Sequence, residues 1–300
     1  MLNRLKLNQK PKIGLLPEFS VSDRIPKILH QTYKTKDVPS EYLDNINQLK
    51  RQNPSWEFVL YDDADIVKFI KDYYGDVILD YYNRISPKYG AARADLFRYL
   101  LIYKKGGVYL DIKSSLEKPL DTIIYPDDQY ILSHWGSSDG VKMERWNYHS
   151  ELTQIGAREF QQWHIIAASG HPFIKRVIEY VLQNIDDYMP EIHGIGQVGT
   201  LRTTGPIAYT SAICPILHLH HHRLVENHQE LGLKYSIYDN PTRHRDTSHY
   251  TEIKTSLINL KGSDKVLSAV LRILFAPLTD KHREILKKSV YFVMALVRKK

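Results

Sequence analysis

Short apolar segments that fit β-strands alternate with helical segments over the first two thirds of this 300-residue chain. Strand patterns fall at 24–33, 55–63, 107–112 and 128–135, and helical spacing falls at 40–54, 64–74, 91–106 and 171–185. This alternation predicts an α/β architecture with a mostly parallel central sheet. Residues 187–255 are predicted to be loop-rich. We therefore expect one domain over 1–255 and a basic, helical C-terminal appendage over 256–300.

The third strand pattern follows a double glycine and runs directly into a charged pair. Gly106 ends the preceding helix pattern, and glycines at this position let another backbone or a ligand approach closely. Asp111 follows the apolar residues of the strand, and Lys113 comes two residues later. In parallel sheets ligands bind beyond the carboxyl ends of strands, where an aspartate suits ribose hydroxyls or a divalent metal. Taken alone, the pair is also what a surface salt bridge would look like.

Four segments carry a resemblance to a known family. They are "IPKILHQTYKTKDVPSEY", "NPSWEFVLYDDAD", "AARADLFRYLLIYKKGGVYLDIKSSLEKPLD" and "TGPIAYTSAI", in this order, within about residues 24–215. They resemble successive blocks of glycosyltransferase family 32, the sugar transferases with an Asp-x-Asp motif. The resemblance implies a GT-A fold, a nucleotide-binding α/β sandwich joined to an acceptor-binding half. It also implies a retaining transfer from a UDP- or GDP-sugar to a glycan or lipid-linked glycan, in surface polysaccharide or glycolipid synthesis.

The resemblance also implies roles for individual residues. Donor binding is assigned to His30, Gln31, Thr32, Asp62, Asp63, Gly107 and Tyr109. Catalysis is assigned to Arg93, Asp95, Asp111 and Lys113, with Arg93 and Asp95 opening the helix that faces the donor sugar and diphosphate. The acceptor side is assigned to Gly205 and Pro206, and Trp135 joins it because it precedes a polar segment that suits an acceptor loop.

Lys113 departs from the family pattern, because it stands where the second Asp of the motif is usual. An ammonium cannot bind a metal, but it can neutralise a diphosphate directly. In one alternative Lys113 replaces the divalent cation. In the other, Asp111 still holds Mn or Mg with help from His249, and this is the alternative that we expect. A third reading is a catalytically impaired protein of the same fold that binds nucleotide sugars or glycans.

Charge and apolar runs restrict the partners and the location. The net charge of +7 favours an anionic partner, which includes a phosphate-bearing substrate, an anionic membrane surface or nucleic acid. Nucleic acid is disfavoured because no recognisable binding module is present. Residues 289–297 are mostly apolar and lie between basic residues, which is typical of a helix in a membrane interface. With a single cysteine and no apolar run of about 20 residues, we expect a cytoplasmic protein, peripheral on the inner face of a membrane.

One glycine pattern is a decoy. The segment "GIGQVG" at 194–199 fits a dinucleotide-binding fingerprint, but no strong strand precedes it and no βαβ unit follows it. We interpret it as a mobile loop near the active site.

Overall fold

The computed structural model describes residues 14–136, 145–238 and 253–277, together with Leu286 and Val290. The strands in these residues are β1 (Ile28–Thr32), β2 (Glu57–Tyr61), β3 (Gly107–Leu110), β4 (Ser115–Leu116), β5 (Tyr130–Ser133), β6 (His164–Ala167), β7 (Arg223–Val225) and β8 (Leu233–Lys234). The α-helices are α1 (Ser40–Gln52), α2 (Asp63–Arg84), α3 (Gly90–Lys105), α4 (Ser150–Thr153), α5 (Pro172–Asp187), α6 (Pro190–His193), α7 (Gly196–Thr203), α8 (Pro206–Ile213) and α9 (Gly262–Phe275).

Six strands form the central sheet, in the order β2-β1-β3-β6-β5-β7, and β4 pairs with β8 separately. β1 is parallel to both β2 and β3, and β5 is parallel to β7. β6 is antiparallel to β3 and to β5, so it runs against the other five strands of this sheet. The predicted α/β class with a mostly parallel central sheet is therefore confirmed, and the architecture is that expected of a GT-A domain.

The sheet is covered on both faces, as expected of largely parallel strands. Alternate side chains such as Tyr109 and Ile165 face a large core that includes residues of α2, α3 and α5. Their neighbours Val108 and Ile166 face a second core, where Leu49 of α1 packs. The buried strand ends are thus held between two layers, and the groups that follow them are fixed in position.

The double glycine before β3 is required by packing of the main chain. Gly107 has a φ of 95°, and a Cβ there would lie 2.5 Å from the carbonyl oxygen of Ile28. At Gly106, with a φ of 65°, a Cβ would lie 2.6 Å from the backbone nitrogen of Ser169. The close approach predicted from the sequence is therefore made by neighbouring backbone.

Several predicted boundaries need correction. α2 consists of two helical segments. The first agrees with the predicted 64–74, and after Gly75, whose φ of 76° and ψ of −178° are not helical, a second segment that was not predicted continues to Arg84. The region predicted to be loop-rich contains α6, α7 and α8. The interpretation of 194–199 as a loop is wrong, because α7 begins at Gly196. Gly199 serves its packing, since a Cβ there would lie 2.6 Å from the carbonyl oxygen of Gly194.

The described part of the C-terminal segment begins in the main core and continues as a helix. Leu257 and Ile258 are buried among the residues of the larger core. α9 then packs on α6, where Leu271 and Phe275 join a smaller apolar cluster. Of residues 278–300, the structure describes Leu286 and Val290, which pack on this cluster, so the predicted segment 289–297 lies almost wholly outside the described residues. No helix in the described residues is long and apolar enough to cross a membrane.

Candidate active site

The carboxyl ends of β1, β2 and β3 meet at one edge of the sheet, because these three strands are parallel. Thr32 ends β1, Asp62 follows β2 and Asp111 follows β3. α3 joins β3 through Gly106 and runs back along the sheet, so its first turns lie at the same edge. This edge is where ligands bind in open α/β sheets.

A buried arginine joins two carboxylates at this edge. Nη2 of Arg98 lies 3.3 Å from Oδ1 of Asp95, one turn earlier in α3, and 3.0 Å from Oδ1 of Asp111. The Arg98 side chain is only 5% exposed, whereas that of Asp111 is 25% exposed. Asp111 is therefore the member of this trio that faces solvent, and Arg98 supports it from beneath.

Protein groups fully engage the Asp95 carboxylate. Its Oδ1 accepts a hydrogen bond from the side-chain amide of Gln162 at 3.1 Å, and its Oδ2 accepts one from the Thr204 hydroxyl at 2.9 Å. Burial raises the pKa of Asp95, and the nearby Arg98 and these two donors oppose that shift. Asp95 thus lies below the surface of the site, where it fixes the position of Arg98.

The environment of Arg98 keeps it protonated. Burial acts to lower its pKa, but Asp111, Tyr109 and Asp95 outweigh burial, and the pKa lies above its ordinary value. The guanidinium carbon lies 4.7 Å from the centroid of the Tyr109 ring, and Nη1 donates to the backbone oxygen of Gln162 at 2.8 Å. A planar guanidinium fits such a site because its face lies over the Tyr109 ring while its N–H groups donate within the plane of the guanidinium.

Side chains of β1 and β3 hold Asp111 from the sheet. The Tyr109 hydroxyl lies 3.0 Å from the hydroxyl of Thr32 and donates to Oδ1 of Asp111 at 3.4 Å. The amide of Gln31 donates to the backbone oxygen of Asp111 at 3.2 Å. Oδ2 of Asp111 makes no hydrogen bond to the residues that the structure describes. Arg98 and Tyr109 thus hold one oxygen of this carboxylate.

Lys113 is buried next to Asp111. Its Nζ lies 4.1 Å from the centroid of the Tyr235 ring, which approaches from the segment after β8. Its backbone oxygen accepts a hydrogen bond from the nitrogen of Ile237 at 2.7 Å. Burial lowers the pKa of Lys113, and the charge of Asp111 acts in the opposite direction. Lys113 is therefore a partly desolvated cation beneath an aromatic cover.

Trp135 belongs to the same aromatic cluster. Its ring centroid lies 5.1 Å from that of Tyr235 and 4.8 Å from that of Trp146. Its indole nitrogen donates to Oε1 of Glu159 at 2.7 Å, and Oε2 of Glu159 pairs with His149. Trp135 is buried. In this structure it supports Tyr235, and its predicted role in stacking on an acceptor sugar stays a prediction.

Two of the predicted donor-binding residues lie inside the sheet. His30 is buried in the middle of β1, with Nε2 3.0 Å from the carbonyl oxygen of Gly106 and Nδ1 3.3 Å from the Tyr61 hydroxyl. Burial lowers its pKa to about 4. Gly107 lies at the start of β3, the opposite end from Asp111. The structure therefore does not bring His30 or Gly107 together with the trio.

Asp62, Asp63 and Arg93 form a separate group at the same edge. Asp62 is the N-cap of α2, and its Oδ1 accepts from the backbone nitrogen of Asp65 at 2.9 Å. Burial raises the pKa of Asp63, and Arg93 opposes the shift. The Arg93 side chain donates to the carbonyl oxygen of Ile85 at 3.0 Å. No hydrogen bond or ion pair joins Arg93 to Asp95 or Asp111, all of which the structure describes.

The acceptor-side residues adjoin the trio through the chain. Gly205 is the N-cap of α8 and Pro206 its first residue. The residue before them, Thr204, donates to Asp95. The connection at Thr204 thus brings Gly205 and Pro206 close to the trio, and their role on the acceptor side stays a prediction. His249 lies outside the described residues.

The described residues do not by themselves form a divalent-cation site at Asp111, and the expected metal, with its ligand His249 outside the described residues, stays a prediction. Among residues 14–136, 145–238 and 253–277, no three His, Cys, Asp or Glu side chains lie close enough together to hold a metal. Arg98 lies between the two carboxylates that would otherwise be candidates, and Lys113 brings a second positive charge. Hard cations prefer several oxygen ligands. Here Arg98 already pairs with Oδ1 of Asp95 and with Oδ1 of Asp111.

Sequence reasoning missed Arg98, Gln162, Thr204 and Tyr235. Arg98 had a usable signal, because Asp95 and Arg98 are three residues apart on a predicted helix and such pairs interact. Thr204 adjoins the predicted Gly205. Gln162 and Tyr235 carry no local signal, because long-range pairing of β3 with β6 and of β4 with β8 brings them to the site.

Comparison with known proteins agrees with this geometry. Residues 39–130 match a family model described as a glycosyltransferase sugar-binding region containing a DXD motif. This segment includes α3, Asp95, Arg98, Asp111 and Lys113. The resemblance to glycosyltransferase family 32 that the sequence predicts is therefore confirmed.

Two curated relatives are mannosyltransferases by name. Inositol phosphoceramide mannosyltransferase 3 of Schizosaccharomyces pombe is 35% identical over 187 residues, which cover 62% of this chain and 44% of that protein. The initiation-specific alpha-1,6-mannosyltransferase of Candida albicans is 27% identical over 210 residues, 65% of this chain and 54% of that protein. The chain thus spans about half the length of these two relatives. Among solved structures, the PaToxG glycosyltransferase is 16% identical with a TM-score of 0.46, covering 72% of this chain and 76% of that one.

Proposed function

Because residues 39–130 carry the sugar-binding region of a glycosyltransferase family, we propose that this chain is a retaining glycosyltransferase. The donor is a UDP- or GDP-sugar, and the acceptor is a glycan or lipid-linked glycan in surface polysaccharide or glycolipid synthesis. The observation that carries the proposal is the Asp95–Arg98–Asp111 trio, in which a fixed cation supports a solvent-facing carboxylate. The names of the relatives support a mannosyl donor and a lipid-borne acceptor as the first to test.

In the proposed mechanism the main task is to stabilise the leaving diphosphate. Negative charge builds on its oxygens as the bond to the anomeric carbon breaks, and preorganised cations in a dry site stabilise such charge strongly. Arg98 and Lys113 provide fixed positive charge beside Asp111. Asp111 binds the donor through its second oxygen, and Asp95 acts as a positioning residue through Arg98. The acceptor hydroxyl attacks on the face from which the diphosphate leaves. The bond from the anomeric carbon to the diphosphate breaks, the bond to the acceptor oxygen forms, and the departing phosphate oxygen takes the hydroxyl proton, so that no covalent enzyme intermediate forms.

Of the two alternatives for the cation, we propose the one in which the protein supplies the charge. The expected Mn or Mg has no set of ligands among the described residues, and Lys113 is held next to Asp111 by the cover of Tyr235. No step of the mechanism is therefore routed through a metal.

A second candidate function is binding of a nucleotide sugar or glycan without transfer. The burial of Lys113 favours it, because an ammonium beneath an aromatic ring is less free to follow a moving phosphate than a bound metal ion. This reading keeps the same donor site but no turnover.

Nucleotide release across a panel of UDP- and GDP-sugars tests these alternatives. Wild type and Lys113→Ala are each assayed with EDTA or with Mn, with and without a lipid-linked acceptor mixture. Release in EDTA that is lost in Lys113→Ala supports the lysine as the replacement for the cation. Release that requires Mn supports the metal alternative. Binding of nucleotide without any release, in the presence of acceptor, supports the second candidate and contradicts the proposed transfer.

A further inference from the structure

α9 has an apolar face that points away from the protein. Val266, Val270, Ile273 and Leu274 are 65%, 45%, 73% and 52% exposed. They recur at a spacing of four, three and one residues and so share one side of the helix. The opposite side of α9 carries the side chains that pack on α6. The helix is therefore apolar on two sides, and only one of them is used by the fold.

Positive charge accompanies this exposed face. Lys265 and Arg272 are exposed on the same helix, and Lys261 is exposed directly before it. Lys261 lies 3.6 Å from Asp80 and Arg272 lies 3.6 Å from Glu191, and both cations remain exposed, so that water and lipid phosphates can reach them.

Residues 256–300 contain ten Lys and Arg and three Asp and Glu, a surplus of seven. This surplus equals the net charge of +7 of the whole chain, so residues 1–255 have no net charge. The charge that predicts an anionic partner thus belongs to the segment that carries the apolar face.

We propose that the outward face of α9 docks on an anionic phospholipid bilayer. Val266, Val270, Ile273 and Leu274 enter the interfacial layer, and the adjacent cations lie at the level of the lipid phosphates. Helices with an apolar face and Lys or Arg beside it bind in this way, by burial of apolar area together with attraction to anionic lipid. This surface of α9 is separate from the segment 289–297 that the sequence predicts to lie in a membrane interface. Its binding to lipid does not depend on which sugar donor the chain uses.

Charge favours a bilayer over a second copy of the chain. Two copies joined through α9 would bring together two C-terminal segments that each carry a surplus of positive charge. Like charges across an interface disfavour association. The remainder of a second copy, residues 1–255, has no net negative charge to offset this repulsion. An anionic lipid surface satisfies both the apolar side chains and the cations.

The docking surface connects to the candidate active site through two short helices. α9 packs on α6, α6 packs on α7, and α7 is followed by Thr204, which binds Asp95. Ile195 and Val198, at the junction of α6 and α7, are also exposed. A bilayer bound to α9 is therefore connected to the predicted acceptor residues, Gly205 and Pro206, through the packing of α6 and α7.

Sedimentation with vesicles tests the proposal with the full chain. Wild type is mixed with vesicles of phosphatidylcholine alone or with added phosphatidylglycerol, at low and high salt. We expect binding to the anionic vesicles that weakens as salt screens the charges. The double variant Val266→Asp, Ile273→Asp should bind about 100-fold more weakly, at about tenfold for each apolar side chain withdrawn from the interface. The matched control is Val77→Asp, at an exposed position of α2, and it should bind like wild type.

Three results would overturn the proposal. The first is binding of the double variant equal to wild type, and the second is equal binding of wild type to both kinds of vesicle. The third is a wild-type dimer by light scattering that the double variant converts to a monomer, which would assign the face to a second copy. Thermal unfolding of both variants monitors the fold. No donor is present, so a failed transferase assay does not affect the outcome.

Discussion

Arg98 of α3 lies 3.0 Å from Asp111, which follows β3, and this ion pair joins the helix to the strand end at the centre of the candidate site. The link is possible because α3 and β3 are consecutive and are separated by the tight turn at Gly106. A cation in this place satisfies both carboxylates that the resemblance assigns to catalysis. Arg98, which lies between Asp95 and Asp111 in the sequence, thus joins the two carboxylates.

Arg98→Ala should abolish transfer and destabilise the fold. Removal of one partner of a buried ion pair costs about 3–5 kcal/mol, because it leaves uncompensated charge on Asp95 and Asp111. Loss of a preorganised donor also lowers turnover by a factor of ~10²–10³. Unfolding in denaturant and donor turnover measure the two effects separately.

The matched control for Arg98 is Arg84→Ala, which removes a partly buried ion pair outside the trio, the one with Asp186 at 2.6 Å. It should lose stability and keep donor binding and turnover. Arg98→Lys, which keeps the charge without the planar fork, should regain some stability but little activity. Full activity in Arg98→Ala would contradict the role of the trio.

Lys113→Asp should create a dependence on divalent cations. The substitution restores the Asp-x-Asp pattern and replaces a buried cation beside Asp111 with a second carboxylate. Two carboxylates in this position suit Mn or Mg bound to a diphosphate. We expect turnover of the variant to require Mn and to stop in EDTA, and calorimetry to detect Mn binding that wild type lacks.

The control for this experiment is Lys118→Asp, which makes the same charge change at an exposed position nearby. It should leave metal dependence as in wild type. If wild type itself stops in EDTA, then the replacement of the cation by Lys113 is refuted, whatever the variant does.

Local patterns were enough to predict the first half of the sheet. β1, β2 and β3 fall within predicted strand segments, and α3 ends at Gly106 as predicted. β6 was not predicted, because its four residues lie in a buried stretch without a period of two and its partner strands are distant in sequence. α7 and α8 lie in a region that is rich in His, Gly and Thr, a composition typical of loops, and so the sequence pattern does not reveal them.

The sequence predicts where the candidate site lies better than it predicts which residues surround it. The strand ends placed Asp111 and Thr32 correctly at one edge, because parallel pairing dictates it. Burial was not predictable, since nothing local in the sequence shows that Asp95 lies beneath Thr204 or that Tyr235 covers Lys113. These contacts depend on segments that return from much later in the chain.

Stability should fall steeply as the pH decreases below neutrality. Burial lowers the pKa of His30, His171 and His228 to about 4 in the folded protein. The unfolded chain takes up protons at these residues near pH 6.5, so between about pH 6.5 and 4 it binds more protons than the folded state. Each histidine then removes about 1.4 kcal/mol of stability for each pH unit. Denaturant unfolding at pH 7.5 and pH 5 measures the loss.

In His228→Gln the free energy of unfolding should depend less on pH, because glutamine does not titrate. The decrease should equal the contribution of one histidine. His218→Gln makes the same change at an exposed position and serves as the control. The same slope for His228→Gln and wild type would show that His228 does not contribute to acid unfolding.

Gly107→Ala should destabilise the protein more than Gly75→Ala, although both glycines have a positive φ. At Gly75 an added Cβ meets nothing within 4 Å, so the cost is the strained backbone alone, about 1–2 kcal/mol. At Gly107 the Cβ would also lie 2.5 Å from the carbonyl oxygen of Ile28 and 3.2 Å from Nε2 of His30. Overpacking of this kind adds about 1–3 kcal/mol, because β1 and β3 must separate to relieve it. Unfolding in denaturant compares the two variants, and equal losses would contradict the close approach of β1 and β3 on which the position of Asp111 depends.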